Sequence, residues 1–480
     1  MRRLWIPIAA LTIAAQSASG CARNPVTGQL QLALISEAQE VEMGRQTAQQ
    51  AVAAMGLVPD SALQQYVQTL GAQLAARSER PQLPWTFGVV DDPTPNAFAA
   101  PGGFIFLTRG MMAVMDSEAE LVTVLGHEIG HVTARHSVTA ISRAQVAQLG
   151  LGLGSIFVPQ LESLGQVAGA GMQLLFLRYG RDAERQADEL GFRYTLEQGY
   201  DASRMASVFA TLGRLGEESQ RSAVPSWLQT HPLPADRVAA AEERFAALQP
   251  PPANLRVARE AYLQRLDGLV YGVNPRNGFF REGRFLHPDL RFQMAFPAGW
   301  QTQNLAQAVL AGSPRNDAAM QLTLAQDATP EAAAQRFFGQ QGIGAGQPRR
   351  QPINGLPALV VPFQAQTQQG VLQGLAAWIQ HDGRVYQVIG FTPAQVYASY
   401  DRAFASTIGS FAVLTDAATL AVQPNRLRMV RLPEAMTVAQ FAARYPSAVP
   451  VAELAVLNQA AGADAVLPGG SLAKRVVAGN

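Results

Sequence analysis

Two histidines four residues apart, with a glutamate directly after the first, constrain this chain more than any other feature: Gly126-His127-Glu128-Ile129-Gly130-His131. Ser117 followed by Glu120 reads as a capping box that opens a helix through Leu121, Val124 and Leu125 to about Arg135. Residues four apart share a helical face, so both imidazoles can reach one ion. Glu128 lies about 100° further round the helix, close to an open position on that ion. There its carboxylate can take a proton from water. Two imidazoles plus one carboxylate suit a single zinc ion with its fourth position open for catalysis. The rival reading is two ordinary histidines beside a solvated glutamate; a capped, amphipathic helix long enough to hold both ligands argues against it.

A third protein ligand is then required. Glu184-Arg185-Gln186-Ala187-Asp188 supplies two carboxylates four apart on one face of a second helix, read as Asp182 to about Gln198 and ending at Gly199. One can ligate while the other orients a histidine through its second ring nitrogen. The pattern alone does not say which, and an exposed acidic helix would look the same.

The 480 residues allow roughly two to four domains. A hydrophobic share of 48% with 15% charged residues fits folded globular protein, and a net charge of +1 gives no general attraction to nucleic acid. The single cysteine, Cys21, excludes an internal disulfide. It follows a basic start (Arg2-Arg3), an apolar run from Leu4 to Ala15 too short to suit a spanning helix, and the small residues Ala18-Ser19-Gly20. That is a secretory signal. The cysteine at its end resembles the lipobox of bacterial lipoproteins, which implies a lipid on Cys21 and a membrane anchor. Ala22 after Cys21 implies, by similarity to enterobacterial sorting rules, the periplasmic face of the outer membrane. Residues 147–176 are apolar and Gly-rich, but Pro159, Gln160, Glu162 and Gln166 interrupt them, so a helical segment at the protein surface is expected rather than a membrane span.

The chain divides into a signal peptide at 1–20, a polar tether at 21–33, a metallopeptidase domain at 34–270, an α+β accessory domain at 284–414 and a small module at 426–480. Helices are expected from Ser36, capped with Gln39, to about Met55 and from about Ser61 to Ala76, with strands at Trp85–Val90 and Phe104–Leu107. In the accessory domain, strand-like runs at 290–296, 319–324, 359–363 and 385–391 alternate with helices near 330–338 and 394–408. The fold class is α+β, with a mostly helical first domain carrying a small sheet. No helical repeat array follows it.

With Glu184 to Asp188 lying 53 residues after His131, the two motifs together resemble the HtpX/BepA-like metallopeptidases, zincins of the CaaX-prenyl-protease type. The resemblance covers about residues 24–245. It implies His127, His131 and Glu184 as ligands of one Zn2+, Glu128 as the general base and Asp188 as support behind a ligand. Asn96-Ala97-Phe98-Ala99 and the turn after it resemble the family's cleft-side segment, which implies a strand edge that pairs with extended substrate. Thr230 to Arg237 resembles a loop over the cleft. There it implies His231 as a regulatory ligand that can fill the open position, and Arg237 as a stabiliser of the oxyanion. The tail from Leu432 faintly resembles a LysM-type module but lacks its Gly-Asp-Thr opening.

The resulting expectation is a lipid-anchored zinc endopeptidase of the bacterial envelope, cleaving unfolded or misassembled envelope proteins. Envelope assembly machinery or peptidoglycan are the implied partners, and nucleic acid is not. The alternative is a non-catalytic, lipid-anchored chaperone or scaffold; an intact Glu128 beside intact ligands weighs against it.

Overall fold

The computed structural model describes residues 21–150, 179–219, 227, 230, 231, 236–250, 252–367 and 370–479. The expected signal peptide, most of the apolar 147–176 segment and residues 232–235 of the cleft loop lie outside these.

A short hairpin, β1 (Cys21–Arg23) with β2 (Leu30–Leu32), leads into α1 (Glu37–Met55) and α2 (Ser61–Ala75). Ser36 and Gln39 form the expected capping box of α1, and the Asp60 side chain caps α2. A three-stranded sheet follows, made of β3 (Thr86–Val90), β4 (Ala97–Ala100) and β5 (Phe104–Thr108) in the order β3-β5-β4. β3 runs parallel to β5 and β4 antiparallel, which leaves β4 at the edge. After a short α3 (Arg109–Val114) come α4 (Glu118–Thr133), α5 (His136–Gly150), α6 (Arg181–Glu197), α7 (Arg204–Ser219), α8 (Asp236–Ala246) and α9 (Arg259–Arg265).

The helix carrying the two-histidine motif is α4. Its cap is half the box expected. The Ser117 hydroxyl accepts from the Glu120 N–H, but the Glu120 carboxylate turns away, accepting from the Asp116 N–H at 2.6 Å and the Gln459 amide at 2.8 Å. Every residue of α4 from Ala119 to Thr133 is buried, so the helix runs through the core rather than over it.

α4 and α6 touch backbone to backbone. A Cβ on Gly126 would stand 3.0 Å from Gly191 O, one on Gly191 2.7 Å from His127 N, and one on Gly130 3.2 Å from Ala187 Cα. The three glycines let two helices approach closer than side chains allow, and this brings the first turns of α6 against the histidines.

The accessory module, 279–413, is built on a larger antiparallel sheet. Its centre runs Ala358–Thr367, Gly370–His381, Arg384–Pro393, Ala319–Leu324 and Ala308–Gly312 in neighbouring order. The helix Pro330–Phe338 packs on one face and Asp401–Gly409 on the other, giving two apolar clusters around Trp378 and around Phe404. The long strand Gly370–His381 was not expected. Its Gly and Ala content is a poor strand signal, and pairing on both edges holds it extended. Expected helix 394–408 is a 3-10 turn, Ala394–Ser399, followed by a true helix.

The segment from Arg426 onward runs strand, helix, helix, strand: Arg426–Arg431, Val438–Arg444, Val451–Leu457 and Leu472–Val477, the two strands pairing antiparallel. The unit has its own apolar cluster about Phe441, yet Leu427, Leu457, Leu472 and Val476 belong to the core of the first, mostly helical domain. Buried Lys474 donates to Ala113 O at 3.1 Å and Met115 O at 2.8 Å, just ahead of α4. Arg259 forks onto Asp116, and Asp116 also faces Lys474 at 3.9 Å. The tail therefore clamps the start of α4.

Burial pushes the Glu120 carboxyl up to about 7 and pulls Lys474 down to about 8. A carboxyl whose folded pKa is raised stabilises fully below its unfolded value and loses that contribution as pH climbs to the folded value. The contribution of Glu120 to wild-type Tm should thus fall between about pH 4.5 and 7. In Glu120→Gln that fall should shrink by about 2–4 °C; thermal scans at pH 5 and pH 8 check it, and parallel curves would refute it.

Candidate metal centre

α4 presents His127 and His131 one turn apart, and α6 presents Glu184 and Asp188 opposite them. All four side chains are buried. Nε2 of His127 and Nε2 of His131 lie 3.0 Å apart. The Glu184 carboxylate stands 3.7 Å from the first and 3.5 Å from the second. His231, at the end of a short helical turn, joins them: its Nδ1 is 3.0 Å from Glu184 Oε1 and 3.3 Å from His127 Nε2. Ligand atoms of His127, His131, Glu184 and His231 all fall within 4.8 Å of one another.

Outer partners set the ring tautomers. His127 Nδ1 donates to Asp188 Oδ1 at 2.9 Å, leaving the Nε2 lone pair for the centre. His131 Nδ1 meets His136 Nδ1 at 2.9 Å, and His136 Nε2 meets Gln186 Oε1 at 3.0 Å. If Gln186 accepts from His136 Nε2–H, His136 Nδ1 must accept from His131 Nδ1–H. The lone pair of His131 Nε2 then also points inward. Burial, and next the neighbouring His127, hold His131 well below the usual histidine pKa, so it is neutral; burial likewise lowers His136. Burial would raise Asp188, but His127 and Arg237 outweigh it and hold the carboxyl below its ordinary value. Glu184 is lowered too, burial being overcome by His231, His127 and Arg237.

Two lone pairs converging at 3.0 Å with an ionised carboxylate repel one another unless a cation sits among them. Imidazole, imidazole and carboxylate are a donor set that a divalent ion fits. Glu128 lies beside this point, with Oε1 buried, 3.7 Å from His231 Nε2 and without a hydrogen-bond partner among the described residues. A buried carboxylate at that place, with an oxygen not engaged in a hydrogen bond, is poised to accept a proton.

Arg237 lies beside the centre, against the two carboxylates of α6. Its Nε and Nη2 grip both Asp188 oxygens at 2.9 and 2.6 Å, and Nη1 reaches Glu184 Oε2 at 3.2 Å. The guanidinium also lies over the Phe209 ring at 4.2 Å. In this geometry it orients the two carboxylates.

Asn96 precedes the edge strand β4, Ala97, Phe98 and Ala99 lie in it, and all four are buried. β4 packs against α4. Cys21 lies in β1, within the fold rather than on a free tether.

Sequence reading missed four residues of the site. Tyr179 stacks on the His131 ring at 4.2 Å with its hydroxyl 2.8 Å from Ser137 Oγ. Trp227 stacks on His231 at 5.0 Å. His136 supports His131, with Gln186 behind it. Arg135, with φ of 58°, ends α4 and turns His136 back onto it, a reversal that periodicity cannot show. Trp227 does carry a signal, since it stands four before His231 and shares its helical face.

His136→Ala should lower metal affinity by ~10–100-fold, as loss of a ligand's outer partner typically does. His136→Asn, whose Oδ1 stands near the lost Nδ1, should recover most of it. Titration against a competing chelator measures both, and equal affinity of wild type and His136→Ala would refute the assignment.

Comparison with known proteins agrees with the site. Residues 61–245 match the model of Peptidase family M48. The Beta-barrel assembly-enhancing protease of Yersinia pestis is 34% identical over 230 residues, covering 46% of this chain and 46% of that protein. Its namesake from Escherichia coli (strain K12) is 30% identical over 225 residues, covering 45% and 46%. Mitochondrial metalloendopeptidase OMA1 of Arabidopsis thaliana is 35% identical over 161 residues, covering 33% and 31%. The chain spans less than half the length of these relatives. The matched stretch runs from the start of α2 into the last turn of α8 and holds every donor of the centre, so residues 61–245 are similar to Peptidase family M48 in the part of the chain that carries the cluster.

Proposed function

We propose that the chain is a zinc metalloendopeptidase that cleaves unfolded or misassembled polypeptides in the bacterial envelope, anchored by lipid on Cys21 at the periplasmic face of the outer membrane. The observation that carries the peptidase reading is the buried carboxylate of Glu128, one oxygen of which has no hydrogen bond among the described residues, beside the buried donors His127, His131 and Glu184. A zinc ion held by these three would polarise a peptide carbonyl and acidify a water. Glu128 takes the proton of that water and passes it to the leaving amine. Asp188 and His136 keep the two ligand imidazoles oriented with Nε2 aimed inward, and Arg237 keeps the carboxylates of Glu184 and Asp188 in place.

The edge of β4 supports an extended substrate. Thr108 N–H donates to Asn96 O across the ladder. Alternation then turns the main-chain groups of Ala97 and Ala99 outward, where a substrate strand can pair with them. Such pairing reads backbone, so it suits unfolded chains of many sequences. His231, fourth donor in the same cluster, supports a latent resting state.

The scaffold alternative finds less support, because a non-catalytic fold has no use for a buried glutamate carboxylate beside a complete set of metal donors. The terminal strand-helix-helix-strand unit is read as LysM-like, and the names of the relatives favour envelope assembly machinery as a partner. Cleavage of casein by the purified chain should be abolished by a strong chelator and restored by zinc; turnover indifferent to chelation would sink the reading.

A further inference from the structure

The anchor residue is built into the domain. Cys21 pairs with Leu32, and Arg23 with Leu30, in the β1–β2 hairpin. The turn between them is locked by Asn24. Its Oδ1 accepts from Val26 and Thr27 N–H, and its Nδ2 donates to Gln31 and, at 3.2 Å, to Ala134 O. Ala134 is the cap of α4, three residues past His131. Beyond the hairpin, Leu34 N–H donates to Ser142 Oγ, and Arg135 donates to Ile35 O. Ala33, Ile35 and Val138 close a small core beneath. Three residues reach at most about 11 Å and three helical residues rise about 5 Å, so the Cys21 backbone lies within roughly 25 Å of His131.

The face around this hairpin is apolar and basic. Leu30 is 72% exposed and Leu34 40% exposed, unusual for large apolar side chains here. Arg23, Arg143 and Arg181 are exposed as well. Leu30, Arg143 and Arg181 line one open cavity of about 570 Å³, with Asp182 its single acidic residue and His136 and Tyr179 its inner wall. Leucines flanked by arginines at an acylated residue match the interface of an anionic bilayer, where apolar groups enter the headgroup region and basic groups meet lipid phosphate.

We propose that this face rests on the anionic lipid surface that holds the Cys21 anchor, so that the metal cleft works at the membrane rather than at the end of a tether. The inference rests on the anchoring proposed above. It selects as substrates polypeptides stalled at or emerging from the bilayer, and it points the terminal module, which packs at the other end of α4, away from the lipid.

The test uses the full chain, produced as a lipoprotein with radiolabelled palmitate and reconstituted into phosphatidylglycerol-containing vesicles. Because Cys21 is the only cysteine and acylation blocks it, Leu30→Cys and Val466→Cys can each carry one fluorophore. Val466 is 63% exposed in the terminal module. Brominated lipids should quench the label at 30 several-fold more than the label at 466. Palmitate incorporated but equal quenching at both positions overturns the apposition and leaves the anchor standing. No palmitate on the protein overturns the anchor itself, and the apposition with it.

Discussion

Glu128→Gln should retain a full complement of metal and lose ~10²–10⁴-fold in turnover of an unfolded polypeptide. The two halves of that result have separate physical sources. Metal retention follows because Glu128 is not among the clustered donors, which are His127, His131, Glu184 and His231. Loss of rate follows because the glutamine amide cannot accept the proton that the buried Oε1 of Glu128, without a hydrogen-bond partner among the described residues, is placed to take. The side chains are nearly isosteric, so the packing around α4 should not change. Metal analysis together with casein cleavage decides the matter: undiminished turnover removes the general base, and lost metal would mean that Glu128 is a ligand.

His231→Ala should raise basal cleavage by about 10-fold, the size of a modest shift between closed and open populations. His231 Nδ1 faces the centre at 3.0 Å from Glu184 and 3.3 Å from His127, where it can fill the position that substrate and water need. Trp227 stacks on its ring and holds it there. Burial disfavours its charged form, but Glu184 and Glu128 outweigh burial and raise its pKa, so its protonated form is favoured when it is not a ligand. The alanine variant keeps two imidazoles and Glu184. A basal rate unchanged or lower than wild type would show that His231 supports the active geometry instead of closing it.

Much of the centre was legible before any coordinates. His127, Glu128 and His131 could be assigned because a helix has a fixed period and the chemistry needs residues on neighbouring turns. Glu184 and Asp188 were visible as a pair, but spacing could not divide their roles. The helices at 37–55, 61–75 and 181–197 also announced themselves, through caps and amphipathic faces that depend on near neighbours only. The strand Gly370–His381 did not, because its extension comes from partners on both sides.

Local order along the chain thus determined which residue types could bind a metal and on which helix faces they stand, since periodicity and capping act over a few residues. Tertiary structure alone decided the rest. It let α4 and α6 meet through Gly126, Gly130 and Gly191, assigned Asp188 to His127 and Arg237 to the two carboxylates, and turned His136 back onto His131. It also drove Lys474 of the tail into the start of the catalytic helix. Those contacts join residues far apart in sequence, and their geometry depends on how closely whole elements pack, a quantity no local pattern carries.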